Sequence, residues 1–292
     1  MATDRDAQYD NSAKRLIAHK IILARILVKT VEEFKGMDPL EVAALIEGLP
    51  YISAVPVEPG LTNAVHFQNG QRLVGFNTEN QELNEGLVRF DIVFYVRMKD
   101  GLSQIIINVE AQKDEPGEYE ILNRAVFYVS RLISSQKERD FENSSYDDIK
   151  CVYSIWICMN APQYIGNAIS EYKLEKTDLI PGIPDRRKEY DKLSVVMVCL
   201  NTKKETEDQF LGMLQTLFNT ELAEKEKKER LEQEYEIQME NGFGKELSLM
   251  CNLSDTVEER GIQKGIEKGI EQGMEKGIEK GKLEMLFSLV RD

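Results

Sequence analysis

Histidine, cysteine and tryptophan are scarce in this chain, and each shortage removes a class of chemistry. There are two histidines, His19 and His66, in 292 residues, so a histidine-rich metal centre is excluded. The four cysteines, Cys151, Cys158, Cys199 and Cys251, show no C-x-x-C spacing. Zinc ligation and a disulfide framework are both set aside, and free thiols in a reducing compartment are expected. No apolar run approaches the length that spans a bilayer, and the first residues, Met1-Ala-Thr-Asp-Arg-Asp6, lack a signal-peptide core. A cytoplasmic chain with no membrane partner is the expectation. Positive charge is also in the minority, for the formal net charge is −14. Broad adhesion to nucleic acid is thereby disfavoured, although a local basic surface is not.

What is present is a strong hairpin signal. Gly86-Leu-Val-Arg-Phe-Asp91-Ile-Val-Phe-Tyr-Val96 and Gln104-Ile-Ile-Ile-Asn-Val-Glu110-Ala-Gln112 are rich in β-branched and aromatic residues. Asp100-Gly101 between them suits the positive φ angles of a type I′ turn. Centring the turn on that dipeptide sets Asp91 opposite Glu110, with Gln112 two residues further on the same face. Cross-strand neighbours lie ~5 Å apart at Cβ, and like charges so placed destabilise a sheet unless a cation compensates. A divalent metal held by hard oxygen ligands is the obvious cation. The plain alternative is a pair of solvent-facing carboxylates, since a one-residue change in register re-partners Asp91.

Around the hairpin, residues 12 to 34 read as one amphipathic helix through Leu16, Ile17, Leu23, Ala24, Leu27, Val28 and Val31. His19 within it is read as a packing or surface residue. A short helix follows over 38–46, with Pro39 in its first turn. Residues 50–85 read as irregular, with turn signals at Pro56, Pro59, Asn69-Gly70 and Asn77-Thr-Glu-Asn80. After the hairpin, 118–136 forms a helix burying Ile121, Leu122, Ala125, Val126, Val129, Leu132 and Ile133. Arg124, Tyr128 and Arg131 fall on a stripe flanking that face, placed either to meet DNA phosphates or to make surface salt bridges. Apolar strands are expected over 151–159 and 194–200, with loops and a small element between them. A helix over 210–218 is expected to run on into the charged stretch 221–240.

The order helix, hairpin, helix, strand predicts an α/β protein with a mixed sheet flanked by helices. Three segments follow: a domain over 1–220, a charged helical connector over 221–260, and a tail over 261–292. The tail repeats Gly261-Ile-Gln-Lys, Gly265-Ile-Glu-Lys, Gly269-Ile-Glu-Gln, Gly273-Met-Glu-Lys and Gly277-Ile-Glu-Lys. A four-residue period gives slowly spiralling stripes of Ile and Gly, and each glycine costs ~1 kcal/mol of helicity. Self-association through 261–281 to complete a helix, or a solvated extension, are the two readings.

The residues Asp91 and Glu110-Ala-Gln112 resemble the motif of the PD-(D/E)xK nuclease superfamily, in particular the bacterial nuclease-family transposases of the Rpn-like group. That pattern is an acid on one strand, then (D/E)-x-K at the end of the adjoining antiparallel strand, followed by a helix. Gln112 stands where the superfamily usually has lysine, similar to the E-x-Q of the Rpn-like group. Further segments look like that group: Gly75-Phe-Asn-Thr-Glu-Asn80, Glu85-Gly86, Ser130-Arg-Leu-Ile-Ser-Ser-Gln136, Val152-Tyr-Ser-Ile-Trp-Ile-Cys-Met-Asn160, and Cys251 through the repeats to Met285. The resemblance implies a restriction-endonuclease-like core and a Mg²⁺- (or Mn²⁺-) dependent deoxyribonuclease linked to DNA recombination or transposition. It implies Asp91 and Glu110 as metal ligands, the Ala111 carbonyl as a third, and Gln112 as the remaining motif residue. Lys113, Glu79 and Glu85 are supporting candidates, and DNA is the implied partner. The competing reading is a catalytically weak, nuclease-like interaction protein that self-associates through its repeats.

Overall fold

The computed structural model describes residues 2–56, 65–68, 71–74, 89–97, 104–112, 120–137, 140–240 and 242–252. Helices α1 (Ala2–Ile17) and α2 (Lys20–Thr30) open the chain, and α3 (Pro39–Leu45) follows a short 3₁₀ turn. Strand β1 (Ile46–Pro56) and a small separate hairpin, β2 (Val65–Gln68) with β3 (Gln71–Val74), come next. Strands β4 (Arg89–Arg97) and β5 (Gln104–Gln112) then lead to helix α4 (Ile121–Ser134). The remaining elements are β6 (Val152–Cys158), β7 (Ala168–Lys173), the short α5 (Arg187–Tyr190), β8 (Leu193–Cys199), α6 (Gln209–Phe218), α7 (Glu224–Gln233) and a last helix, α8, over 243–252.

The main sheet has six strands in the order β1-β4-β5-β6-β8-β7. β1 and β4, and β4 and β5, pair antiparallel; β5, β6 and β8 are mutually parallel, and β7 returns antiparallel to β8. A parallel step from β5 to β6 requires a crossover, which α4 supplies. On one face α4 packs Ala125, Tyr128, Val129 and Leu132 against Val93, Tyr95, Trp156 and Val195. On the other, Ile92, Phe94, Val96, Ile155, Ile157, Val196 and Val198 meet α1, α2, α6 and the chain after it. The result is a helix–sheet–helix sandwich of the α/β class. All seven residues of β6 are buried, as expected of a parallel strand covered on both faces.

Several sequence expectations are corrected by this arrangement. The helix read over 12–34 is two helices, broken at Ala18-His19, where His19 is extended (φ −62, ψ 130) and its carbonyl accepts from Ile22 and Leu23. Neither Gly nor Pro marks the break; packing of both helices into one core decides it. Residues 50–56, read as irregular, belong to β1. Its prolines are tolerated because it is an edge strand, and two register shifts, one spanning Gly48 (φ +61) and Pro50, absorb the misfit. Strands β2 and β3 lie in the same stretch and bracket the predicted Asn69-Gly70 turn.

The helix expected to run from 210 through 240 stops at Phe218. Asn219 is extended and its side chain accepts a hydrogen bond from the Glu221 amide (2.7 Å), which offers the backbone an alternative to another helical turn. Beyond it, Leu231, Ile237, Phe243, Leu247, Met250 and Cys251 are buried in the same core as α1 and α2. On α4 the buried face is rotated from the expected one: Val126 is exposed and Tyr128 is in the core. The Gly-Ile-Glu-Lys repeats lie outside the described residues.

Candidate functional site

The β4–β5 ladder pairs Ile92 with Val109 and continues inward to Arg97 with Gln104. This is the register that the Asp100-Gly101 turn predicts. Asp91 and Glu110 are the next residues of their strands beyond the last pair, Ile92 with Val109. The parallel ladder then sets Glu110 beside Trp156 and Gln112 beside Cys158, so the three motif positions lie where β5 and β6 end. Ligand sites in α/β sheets open at the carboxyl ends of parallel strands. For Glu110, Ala111 and Gln112 the backbone alone is described, and Glu79, Glu85 and Lys113 lie outside the described residues.

Asp91 has a cation of its own. The Lys14 ammonium, in the last turn of α1, is 2.6 Å from Asp91 Oδ1, and the two side chains are 14% and 16% exposed. At this distance and burial the contact is a charge-assisted hydrogen bond, stronger than a surface pair. Sequence reasoning missed Lys14 because nothing local couples it to a strand so far along the chain. The available signal is its place beside the apolar face of α1, next to Ala13 and one turn before Ile17, both fully buried. Among the described residues no three His, Cys, Asp or Glu side chains converge as a metal cage. Of the two acids expected as ligands, only Asp91 has a described side chain.

Helix α4, on the sheet face opposite the core that α1 joins, carries another cation. Arg124 Nε and Nη2 donate to Tyr128 Oη at 3.0 and 2.8 Å. Its guanidinium also lies over the rings of Tyr128 and Trp156, 4.8 and 5.1 Å from their centroids. Trp156 in turn donates from Nε1 to Ser154 Oγ (2.9 Å), which fixes the indole on β6. Arg124 is therefore held flat against two aromatics one strand away from the Glu110 position. Tyr128, expected beside the arginines on an outer stripe, is 8% exposed and belongs to the core. Arg131 lies in the last turn of α4, partly exposed.

His19 takes no part in this group. It borders a separate cleft of about 1030 Å³ together with Arg15, Arg25, Phe243 and Glu246. Its ring meets Phe243 edge-on at 5.1 Å. Burial lowers its pKa below the ordinary histidine value, and the nearby Glu246 carboxylate opposes that shift only in part.

The fold and these positions define an α/β protein in which Lys14 holds Asp91 and Arg124 lies against Trp156, the β6 residue level with Glu110. Among the described residues, no helix is long and apolar enough to cross a membrane. Comparison with protein-family models, curated proteins and solved structures finds no match for this chain.

Proposed function

We propose that the chain is a metal-dependent DNA endonuclease of the PD-(D/E)xK kind, with a restriction-endonuclease-like core, acting in DNA recombination or transposition. The observation that supports this reading is the β4–β5 register, whose last pair, Ile92 with Val109, leaves Asp91 and Glu110 as the next residues of their strands, ahead of α4. The mixed sheet with α4 as crossover supports the core that the resemblance implies.

Asp91, Glu110 and the Ala111 carbonyl offer hard oxygen donors that suit Mg²⁺ or Mn²⁺. Such an ion, when bound, lowers the pKa of a coordinated water and stabilises charge on phosphate oxygens. The chain's own groups act around it. Lys14 neutralises Asp91 and stands ready to move its ammonium toward an incoming phosphate. Arg124, braced by Tyr128 and Trp156, supplies a fixed positive charge on the face that α4 covers, and Arg131 extends it along α4. A glutamine at position 112 can hydrogen-bond a water but neither carries charge nor accepts a proton at neutral pH. The test is nicking of supercoiled plasmid with Mg²⁺ or Mn²⁺. Asp91→Ala and Glu110→Ala should each abolish cleavage in a folded protein, as should a chelator. Full activity in both variants would sink the proposal.

A second reading draws on the Lys14–Asp91 pair. An ammonium already seated on Asp91 compensates its charge without a metal, as a catalytically weak, nuclease-like interaction protein requires. It predicts neither nicking nor Mn²⁺ binding by the wild type.

A further inference from the structure

We infer that the outer edge of β7 is a self-association surface on which a second copy of this chain pairs strand to strand. β7 ends the sheet: it bonds β8 on one side, and among the described residues no strand lies on the other. An open edge presents a row of backbone donors and acceptors and is a template for another strand. The opposite edge, β1, is interrupted by two register shifts and by Pro50, which blunts it. β7 has neither defect, for its six residues pair with β8 in unbroken register.

The side chains along β7 are self-complementary. With a twofold axis through Tyr172, Glu171 of each copy lies opposite Lys173 of the other, and the two tyrosines face each other. Opposite charges placed directly across an antiparallel ladder stabilise it, and a twofold interface repeats the benefit. An axis through Glu171 would set like charges together, and one through Ser170 would leave Lys173 without a carboxylate. Only the Tyr172 register satisfies both charges. Within one chain Lys173 Nζ already lies 3.1 Å from Glu171 Oε2, so two copies would join four charges in one network. Tyr172 and Leu174 are 43% and 47% exposed, which leaves the edge accessible.

The loop that leaves β7 adds apolar area to an otherwise short ladder. Lys176 holds it in shape, donating to the Ile183 carbonyl (2.9 Å) and pairing with Asp178 (3.1 Å) and Asp185. Leu179, Ile180 and Ile183 project from the loop at 93%, 86% and 70% exposure. Aliphatic side chains held this far into water by an internally braced loop mark an interaction site.

The experiment is light scattering after gel filtration of the full chain, with Lys173→Glu and the double exchange Glu171→Lys/Lys173→Glu. The wild type should show at least twice the 33.5 kDa chain mass. Lys173→Glu sets carboxylates opposite each other at two places and should halve that mass, weakening association about tenfold or more. The double exchange should restore it. Amide exchange over 168–173 in the wild type should slow as concentration rises, a readout that needs no variant. A wild type at the single-chain mass, an unchanged mass in Lys173→Glu, no recovery in the double exchange, or amide exchange independent of concentration would each overturn the proposal. Association through the repeat tail alone gives the second of these outcomes.

Discussion

Replacing Lys14 by methionine keeps the length of the side chain and removes its charge, leaving Asp91 with one cation fewer. A fully exposed ion pair contributes about 0.2–1 kcal/mol, and breaking a fully buried one costs about 3–5 kcal/mol. At 2.6 Å, with side chains 14% and 16% exposed, the Lys14–Asp91 contact falls between those limits, near ~2 kcal/mol. In a chain of this size, 1 kcal/mol moves the melting temperature by roughly 2 °C, so Lys14→Met in chelator should melt about 4 °C below the wild type. With the Lys14 charge gone, the Asp91 carboxylate should then recruit a divalent ion more readily. At a Mn²⁺ concentration about 100 times its Kd, binding returns about 2.7 kcal/mol, enough to recover the loss. The assay is thermal unfolding of both proteins with chelator and across a Mn²⁺ series. The wild type should respond less, because its ammonium competes for the same oxygen. Equal melting in chelator, together with equal Mn²⁺ shifts, would refute the claim that Lys14 is the resident counter-ion of this position.

Two further outcomes follow from the described contacts. Because the folded protein holds His19 below its usual pKa, the unfolded chain takes up its proton first. The wild type should therefore lose stability as pH falls through about 6.5 and down to the folded pKa, and denaturant titrations of His19→Gln between about pH 7.5 and 5 should show a smaller loss. Burial works to raise the pKa of Asp208, yet the Lys29 ammonium and the Leu211 amide hold its carboxyl below the usual range. Asp208→Ala removes this cap of α6 and should cost about 1–2 kcal/mol at neutral pH. That difference should vanish as pH falls below about 3.8 and through the folded pKa, which acid titration of both proteins checks.

What the sequence made legible is what local chemistry decides. A turn centred on Asp100-Gly101 predicts the β4–β5 register that is observed, Ile92 with Val109 through Arg97 with Gln104. The apolar runs around Trp156 and Val196 read as strands because they are covered on both faces. The partner of Asp91 was not legible, since a lysine on α1 carries no mark of the strand it will meet. Nor was the break at His19, which contains no residue that stops a helix. β1 was hidden by Pro50 and Pro56, which forbid a central strand and are harmless at an edge. The shift from Val126 to Tyr128 has a similar origin. Periodicity fixes a stripe on α4 only to within a residue, and Tyr128 enters the core because Trp156 and Arg124 complete its contacts.

β5 also sets an order of events during synthesis. Its ladder to β4 closes over a short loop and can form as soon as residue 112 has left the ribosome. Its ladder to β6 needs residues 152–158, with the whole of α4 made in between. Until then Ile105, Ile106 and Ile107 belong to a hairpin with one bare edge, a stretch of high strand propensity open to other chains. The strand that carries Glu110 is thus the last to gain its second neighbour among those that form the acid pair. A slowed ribosome or a lost chaperone should expose that edge first, and misassembly of this chain should begin there.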